Sequence, residues 1–323
     1  MVRQGSLVRC PFDDRPLQKL QQSRPECVLL GDSMLRSRID PLTLQKVSKV
    51  RFEVFTFPGS ASAHWYLLYK NFITAVSPRP ALTIVFFRDA QLTRPTYRTS
   101  GIYWDGIEAC MRGDEPAFRS ILARSQHEAK PWPQRLATAL YPLQKRHTDW
   151  QERAQMAALR TSTGGRHWDE VKGAASRIFS SRNQRIDPQA ILAEGADQAS
   201  LEPASPRFHT GVEQSFLPAM LQIARDHNTR LIFFRVKCRA TFFPPNERES
   251  SELQQYMQEL GTFLASQGSL LVDETSDPEV TLDYYGGDDH VRDEMMPAYT
   301  RLFERKMRPF VEASVRGSPS PDR

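Results

Sequence analysis

Cysteine is scarce in this chain: four residues, Cys10, Cys27, Cys110 and Cys238, are spread over 323 positions. None forms a C-x-x-C pair or stands at finger spacing from a histidine, so neither a zinc site nor a disulfide framework is indicated. Cys27 and Cys238 lie in apolar runs and read as inert core thiols. Long apolar stretches are also missing. None approaches the roughly 18 to 20 residues of a bilayer span, so no direct membrane insertion is expected. Charge of either sign is not gathered into blocks: 43 Lys and Arg against 38 Asp and Glu give +5, scattered along the chain. That leaves no footprint for nucleic acid or an anionic membrane. There is no glycine-rich phosphate loop and no Gly-Lys-Ser/Thr, which ranks nucleotide binding low. The first ten residues, Met1 to Cys10, hold no apolar segment of secretory type, and Arg9 before Cys10 argues against lipoprotein processing. As the sequence stands, it reads as cytoplasmic; a signal or anchor upstream of residue 1 would make it periplasmic or cell-surface.

Apolar residues make up 40% and charged residues 25%, with a mean hydropathy of −0.52, a globular composition long enough for a substantial core. Five short apolar runs, rich in β-branched and aromatic side chains, predict buried strands: 27–30, 52–57, 82–87, 230–236 and 269–273. Helical spacing lies between them. Leu42, Leu44 and Val47 follow the first run, and Trp65, Leu68, Tyr69, Phe72 and Ile73 follow the second. Leu217, Met220, Leu221 and Ala224 precede the fourth, and Leu253, Tyr256, Met257, Leu260 and Leu264 the fifth. Alternating strands and helices imply right-handed crossovers and a mostly parallel five-stranded sheet in a three-layer α/β/α sandwich. The core is expected over 25–91 and 211–313, behind an N-terminal extension 1–24 and before a disordered tail 314–323. Residues 92–210 break the rhythm. They are rich in Arg, Gln, Pro and Ala and predict a mainly helical insertion or cap, with helices near Pro116–His127, Trp132–Tyr141 and Thr148–Leu159.

The strongest local signal is Val28-Leu-Leu-Gly-Asp-Ser-Met-Leu35, an apolar strand that runs through Gly31-Asp32-Ser33 into a helical pattern. Such a turn delivers Ser33 to the carboxyl edge of the sheet, where open α/β sheets bind ligands. A helix beginning there directs free amides at the same spot, which suits a developing oxyanion. The plainer reading is a helix cap at Ser33 and a turn former at Asp32. A nucleophilic serine needs a base and a carboxylate to orient it. Of seven histidines, His290 stands out. It lies in Tyr284-Tyr-Gly-Gly-Asp-Asp-His-Val291, a loop after the last strand and before the closing helix marked by Met296, Tyr299, Leu302, Phe303 and Met307. Asp288 and Asp289 both offer a carboxylate there, and spacing alone leaves the choice open.

The strand into Gly31-Asp32-Ser33 and the Asp/His loop before a C-terminal helix resemble the SGNH, or GDSL, family of esterases and acyl hydrolases, a flavodoxin-like fold. The resemblance covers roughly residues 25 to 90 and 211 to 312. It implies two further oxyanion donors: a glycine after the second strand, matched by Gly59, and an asparagine after the third. At the latter position Arg88 stands before Asp89, a departure from the family's Gly-x-Asn-Asp. Arg88 could donate to an oxyanion, or pair with Asp89 and serve structure only. Asp32 and Asp89 are counted with Gly59 and Arg88 on the substrate-binding side. Gly287 occupies the place where many members carry the aspartate. Asp288-Asp-His290 fits instead the Asp-x-His variant of proteins linked to bacterial polysaccharide O-acetylation, which favours Asp288 over Asp289. The resemblance thus implies a Ser33, His290, Asp288 triad acting without metal or cofactor on acyl, especially acetyl, esters of a carbohydrate or small alcohol. The alternative is a catalytically degenerate accessory protein that binds a glycan or a membrane acyltransferase. Elsewhere, His64 reads more readily as packing than as a ligand contact. Arg235, Lys237 and Arg239 could bind an anion or face solvent. Trp104, Trp132, Trp150 and Trp168 could stack on sugars, although local cores are the commoner use of such tryptophans.

Overall fold

Side chains that fill a pleated surface on both faces leave a strand little choice but the interior of a parallel sheet. The five apolar runs become β1 (Cys27–Gly31), β2 (Phe52–Thr56), β3 (Leu82–Phe87), β4 (Arg230–Arg235) and β5 (Leu270–Asp273). All pairings are parallel, and the order across the sheet is β2-β1-β3-β4-β5. The computed structural model describes residues 12–99, 102–126, 208–239, 249–286 and 289–316. Successive side chains alternate between two cores, as the two-residue strand period requires. Val28, Leu30, Val85, Phe87, Leu231 and Phe233 face one side. Cys27, Leu29, Ile84, Phe86, Ile232 and Phe234 face the other.

The helices divide accordingly. Beneath the first face lie α1 (Arg15–Ser23), α4 (Ser62–Leu68, continued by a π turn Tyr69–Ile73), α5 (Ile102–Ala109), α6 (Pro116–Gln126), α7 (Phe208–Glu213), α8 (Leu217–Asp226) and α9 (Ser251–Ser266). On the second lie α2 (Ser33–Arg38), α3 (Pro41–Val47) and α10 (Met296–Arg316). The fold is the three-layer α/β/α sandwich expected from the strand and helix rhythm. The helix following β1 is split, because Asp40 caps a new start through the amides of Leu42 and Thr43 and Pro41 opens the turn. Leu42, counted among the core-spaced residues, ends up 67% exposed.

Residues 102–126 belong to the same interior as the sheet, with Ile107, Cys110, Phe118, Ile121 and Leu122 in the first core. A buried carboxylate fastens them: Glu115 accepts from Lys70 Nζ at 2.5 Å and from Asn71 Nδ2 at 2.8 Å. Paired in this way, the acid escapes the penalty of isolated charge burial. The expected helices near 132–141 and 148–159, Trp132, Trp150 and Trp168, and the tail after residue 316 lie outside the described residues.

The strand order positions the site. From β1 the chain steps outward to β2, then crosses back to β3 and continues the other way, so the order reverses between β1 and β3. Open α/β sheets bind ligands at such a reversal, outside the carboxyl ends of the strands. The register puts Gly31 beside Thr56, and Phe87 beside Arg235, which stands beside Asp273. The residues that follow these strand ends share one rim.

Candidate active site

The β1–α2 turn is tight because Gly31 has no side chain. A Cβ there would stand 2.8 Å from Leu35 Cβ and 3.0 Å from Phe86 Cβ, so any larger residue would push the first turn of α2 off the sheet. Asp32 follows in extended conformation and caps the helix, its Oδ1 accepting from the Met34 amide at 2.8 Å. Ser33, the first residue of α2, is half-buried. No hydrogen bond joins its hydroxyl to another described residue.

Gly59 enters from the loop after β2. Phe57 donates its amide to the Gly31 carbonyl at 3.1 Å, and Ser60 Oγ approaches the same carbonyl at 3.4 Å. The Gly59 loop therefore abuts the turn that carries Ser33. Gly59 adopts φ +77, in the left-handed region, and the Tyr103 ring lies so close that a Cβ would meet its Cε1 at 2.5 Å. Both features restrict the position to glycine.

A relay of polar groups crosses the rim from β1 to the histidine loop. Gln91, fully buried, donates from Nε2 to Asp32 Oδ2 at 3.4 Å and accepts from the Arg88 amide at Oε1, at 2.9 Å. Arg88 Nη1 reaches Asp289 Oδ2 at 3.4 Å. Asp289 Oδ1 accepts from the Arg239 amide at 2.7 Å. The relay thus runs from the residue before Ser33 to the residue before His290. Of the two options for Arg88, the pairing with Asp89 is not what forms; its carboxylate partner is Asp289. Asp89 sits at φ +47 with Oδ1 4.0 Å from Arg235 Nη2. Burial raises the Asp89 carboxyl above its usual range, against the pull of Arg88 and Arg235. Asp32 uses both carboxylate oxygens inside the fold, one on Met34 and one on Gln91. His290 is half-buried. Asp288 and Gly287 lie outside the described residues.

One residue that sequence reasoning missed ties these parts together. Arg38, at the end of α2, is fully buried. Its Nη1 donates to the Met34 carbonyl at 3.2 Å, and its Nη2 to the carbonyls of Lys237 at 2.7 Å and Asp289 at 3.2 Å. The guanidinium lies against the rings of Tyr285 and Tyr299, 5.7 and 5.8 Å from their centroids. One side chain on the serine's helix therefore holds the backbone of the residue next to His290. Below it Glu274 accepts from Tyr299 Oη at 2.6 and 2.7 Å. Burial pushes the Glu274 carboxyl up, opposed by the Arg38 cation and the tyrosine hydrogen bond.

Two of the cations at the end of β4, Arg235 and Lys237, are used by the protein itself. Arg235 is 2% exposed, donates to Asp273 Oδ2 at 3.0 Å and is paired with Glu249. Lys237 donates from Nζ to the carbonyls of Asp277 at 2.8 Å and Val280 at 3.0 Å. His64 is buried beneath β2, with Nε2 3.3 Å from Cys110 Sγ and its ring against Phe57. It packs in the core and does not face the crevice chemistry. Burial lowers its pKa to about 4 and raises that of Cys110 to about 12, so both are neutral at pH 7. Among the described residues no group of His, Cys, Asp and Glu is placed to hold a metal ion, and no helix is long and apolar enough to cross a membrane.

No family model matches the chain, and no curated protein matches it. Among solved structures, one described as a "putative acylhydrolase" from Bacteroides fragilis NCTC 9343 is similar with a TM-score of 0.40 and 10% sequence identity. The likeness covers 93% of this chain and 99% of that one, and at that looseness it decides nothing about the chemistry.

Proposed function

We propose that the protein is an SGNH-like serine esterase or O-acyltransferase, acting on acyl esters of a carbohydrate or small alcohol. In this reading Ser33 Oγ attacks the ester carbonyl carbon while His290 accepts its proton. The tetrahedral oxyanion is met by the amides of Ser33 and Gly59, with Arg88 at the place the family gives to asparagine. Collapse breaks the bond to the alcohol oxygen, and His290 returns the proton to that leaving group. Water or a second hydroxyl then attacks the acyl-serine by the same steps in reverse, and the choice between them separates hydrolysis from transfer. Asp288 holds the imidazole. The engagement of Asp289 by Arg88 and the Arg239 amide supports Asp288 for that role.

The observation that carries the proposal is the relay Asp32–Gln91–Arg88–Asp289, reinforced by Arg38 on the Asp289 carbonyl. It joins the two distant motifs at the reversal point of the sheet. Catalytic hydrogen bonds are often loose in unliganded enzymes and close on substrate, so a Ser33 hydroxyl with no partner among the described residues is compatible with the reading. A second reading, a non-catalytic accessory protein of the same fold, draws on the engagement of Arg88 by Asp289, which competes with an oxyanion for its donors.

A fluorophosphonate probe separates the two. Wild type is expected to be labelled and Ser33→Ala not. On a panel of short and long acyl nitrophenyl esters, Ser33→Ala and His290→Ala are each expected to lose about a thousandfold or more in kcat. Labelling of neither protein, together with no ester turnover, would overturn the catalytic reading in favour of the accessory one.

A further inference from the structure

Arg98 differs from Arg38, Arg88 and Arg235 in what its guanidinium meets. Arg38 is spent on carbonyls, Arg88 on Asp289, and Arg235 on Glu249 and Asp273. Arg98 is half-buried, yet no carboxylate among the described residues pairs with it. Its guanidinium is held by aromatic faces instead, 5.1 Å from the Tyr97 centroid and 5.2 Å from that of Tyr103. Its Nε is buried with no hydrogen bond among the described residues, a trait it shares with Arg38, Arg88 and Arg235. Its backbone sits at φ +52, a left-handed conformation that an arginine adopts only when its surroundings impose it.

The position is as informative as the missing acid. Arg98 Nη1 lies 3.6 Å from where a Cβ on Gly59 would stand, and Tyr103 covers the same glycine. Through the hydrogen bonds of Phe57 and Ser60 to the Gly31 carbonyl, this group borders the turn that presents Ser33. A cation partly withdrawn from water, without a counter-charge, is costly unless something anionic arrives to meet it. A guanidinium clamped by aromatic rings keeps its planar fork of donors oriented, which suits a carboxylate or a phosphate better than any neutral hydroxyl.

We propose that Arg98, braced by Tyr97 and Tyr103 beside Gly59, binds an anionic group, carboxylate or phosphate, carried by the molecule that enters the crevice. The substrate class narrows accordingly to esters of an acidic sugar or another anionic alcohol. That narrowing rests on the esterase reading; the anion site itself does not.

Two measurements keep the ideas apart. Calorimetric titration of full-length Ser33→Ala protein with glucuronate, inorganic phosphate and glucose reads the site without turnover. Glucuronate or phosphate is expected to bind and glucose not, and the tighter anion identifies whether carboxylate or phosphate is the natural group. Adding Arg98→Gln is expected to weaken the anion about tenfold or more, with partial recovery in Arg98→Lys, which keeps the charge but not the fork. Anion affinity that survives Arg98→Gln, or no anion binding at all, would overturn the proposal. The second measurement compares kcat/KM for 4-acetoxybenzoate and phenyl acetate. Arg98→Gln is expected to lower the anionic-to-neutral ratio about tenfold, and a ratio equal to that of wild type counts against the site. If wild type cleaves neither ester while anion binding still depends on Arg98, the esterase reading falls and the anion site stands. Thermal melting of both Arg98 variants checks folding, and an Arg98→Lys protein that folds but binds no anion also decides against the site.

Discussion

A guanidinium that donates to carbonyls from α2, from the end of β4 and from the histidine loop fixes three pieces of chain at once. Arg38 is therefore a positioning residue in the proposed mechanism, because it touches the backbone beside His290 and not the reacting atoms. Its removal strands buried carbonyls in a medium that cannot hydrate them, each at a cost of about 1 to 3 kcal/mol. Arg38→Met is expected to lower unfolding free energy by about 2 to 4 kcal/mol in chemical denaturation. In Arg38→Lys the ammonium retains the charge but cannot span both the Lys237 and Asp289 carbonyls, so kcat on a short acyl ester should fall more than KM changes. A stability equal to wild type in Arg38→Met would contradict the clamp, and a loss confined to KM would contradict the positioning role. No sequence pattern announces this residue. It stands in Leu-Arg-Ser-Arg38, which reads as an ordinary exposed helix end, and its partners lie 199 and 251 positions away.

At the scale of elements, the turn from β1 into α2 was readable because its constraints are local. An apolar strand, a glycine, a capping aspartate and a helical pattern all lie within nine residues of chain, 27–35. The geometry accounts for each: Gly31 for the close approach of Leu35 and Phe86, and Asp32 for the Met34 amide. Gly31→Ala forces a methyl into contact below 3.0 Å with Leu35 Cβ, and backbone-anchored Cβ atoms cannot swing aside. The expected outcome is a destabilisation of about 1 to 3 kcal/mol, the usual cost of overpacking, read as a lower midpoint in urea. Activity on any ester cleaved by wild type should fall with it, since the displaced turn carries Ser33. A fully stable Gly31→Ala protein would show that the turn has slack. The third-strand block was less legible for the opposite reason. Whether Arg88 pairs with Asp89, its neighbour in sequence, or with Asp289, 201 positions on, depends on where the last loop folds back. Local spacing carries no such information.

Across the whole molecule, the sheet and its two cores were legible because the three central strands, β1, β3 and β4, are apolar on both faces, as strands of a covered parallel sheet are. The fate of buried polar groups was not, since a histidine on an apolar helix face reads the same whether it binds a ligand or fills space. His64 fills space, and this has a measurable consequence for global stability. Burial lowers its pKa from 6.5 to about 4, so between those two values the unfolded chain takes up a proton that the folded one refuses. Stability therefore rises with pH across that interval: the contribution is complete above pH 6.5 and is lost as the pH falls toward 4. The difference corresponds to about 3 kcal/mol, most of it gone by about pH 4.5. Paired carboxylates elsewhere also weaken in acid, so the diagnostic quantity is the gap between wild type and variants that cannot titrate at this position. In urea unfolding, His64→Gln and His64→Leu should be less stable than wild type at pH 7, and that deficit should shrink by about 2 to 3 kcal/mol at pH 4.5. Curves that stay parallel from pH 7 to 4.5 would mean that His64 is protonated as readily inside the fold as outside it, which its contact with Cys110 and the surrounding apolar core do not allow.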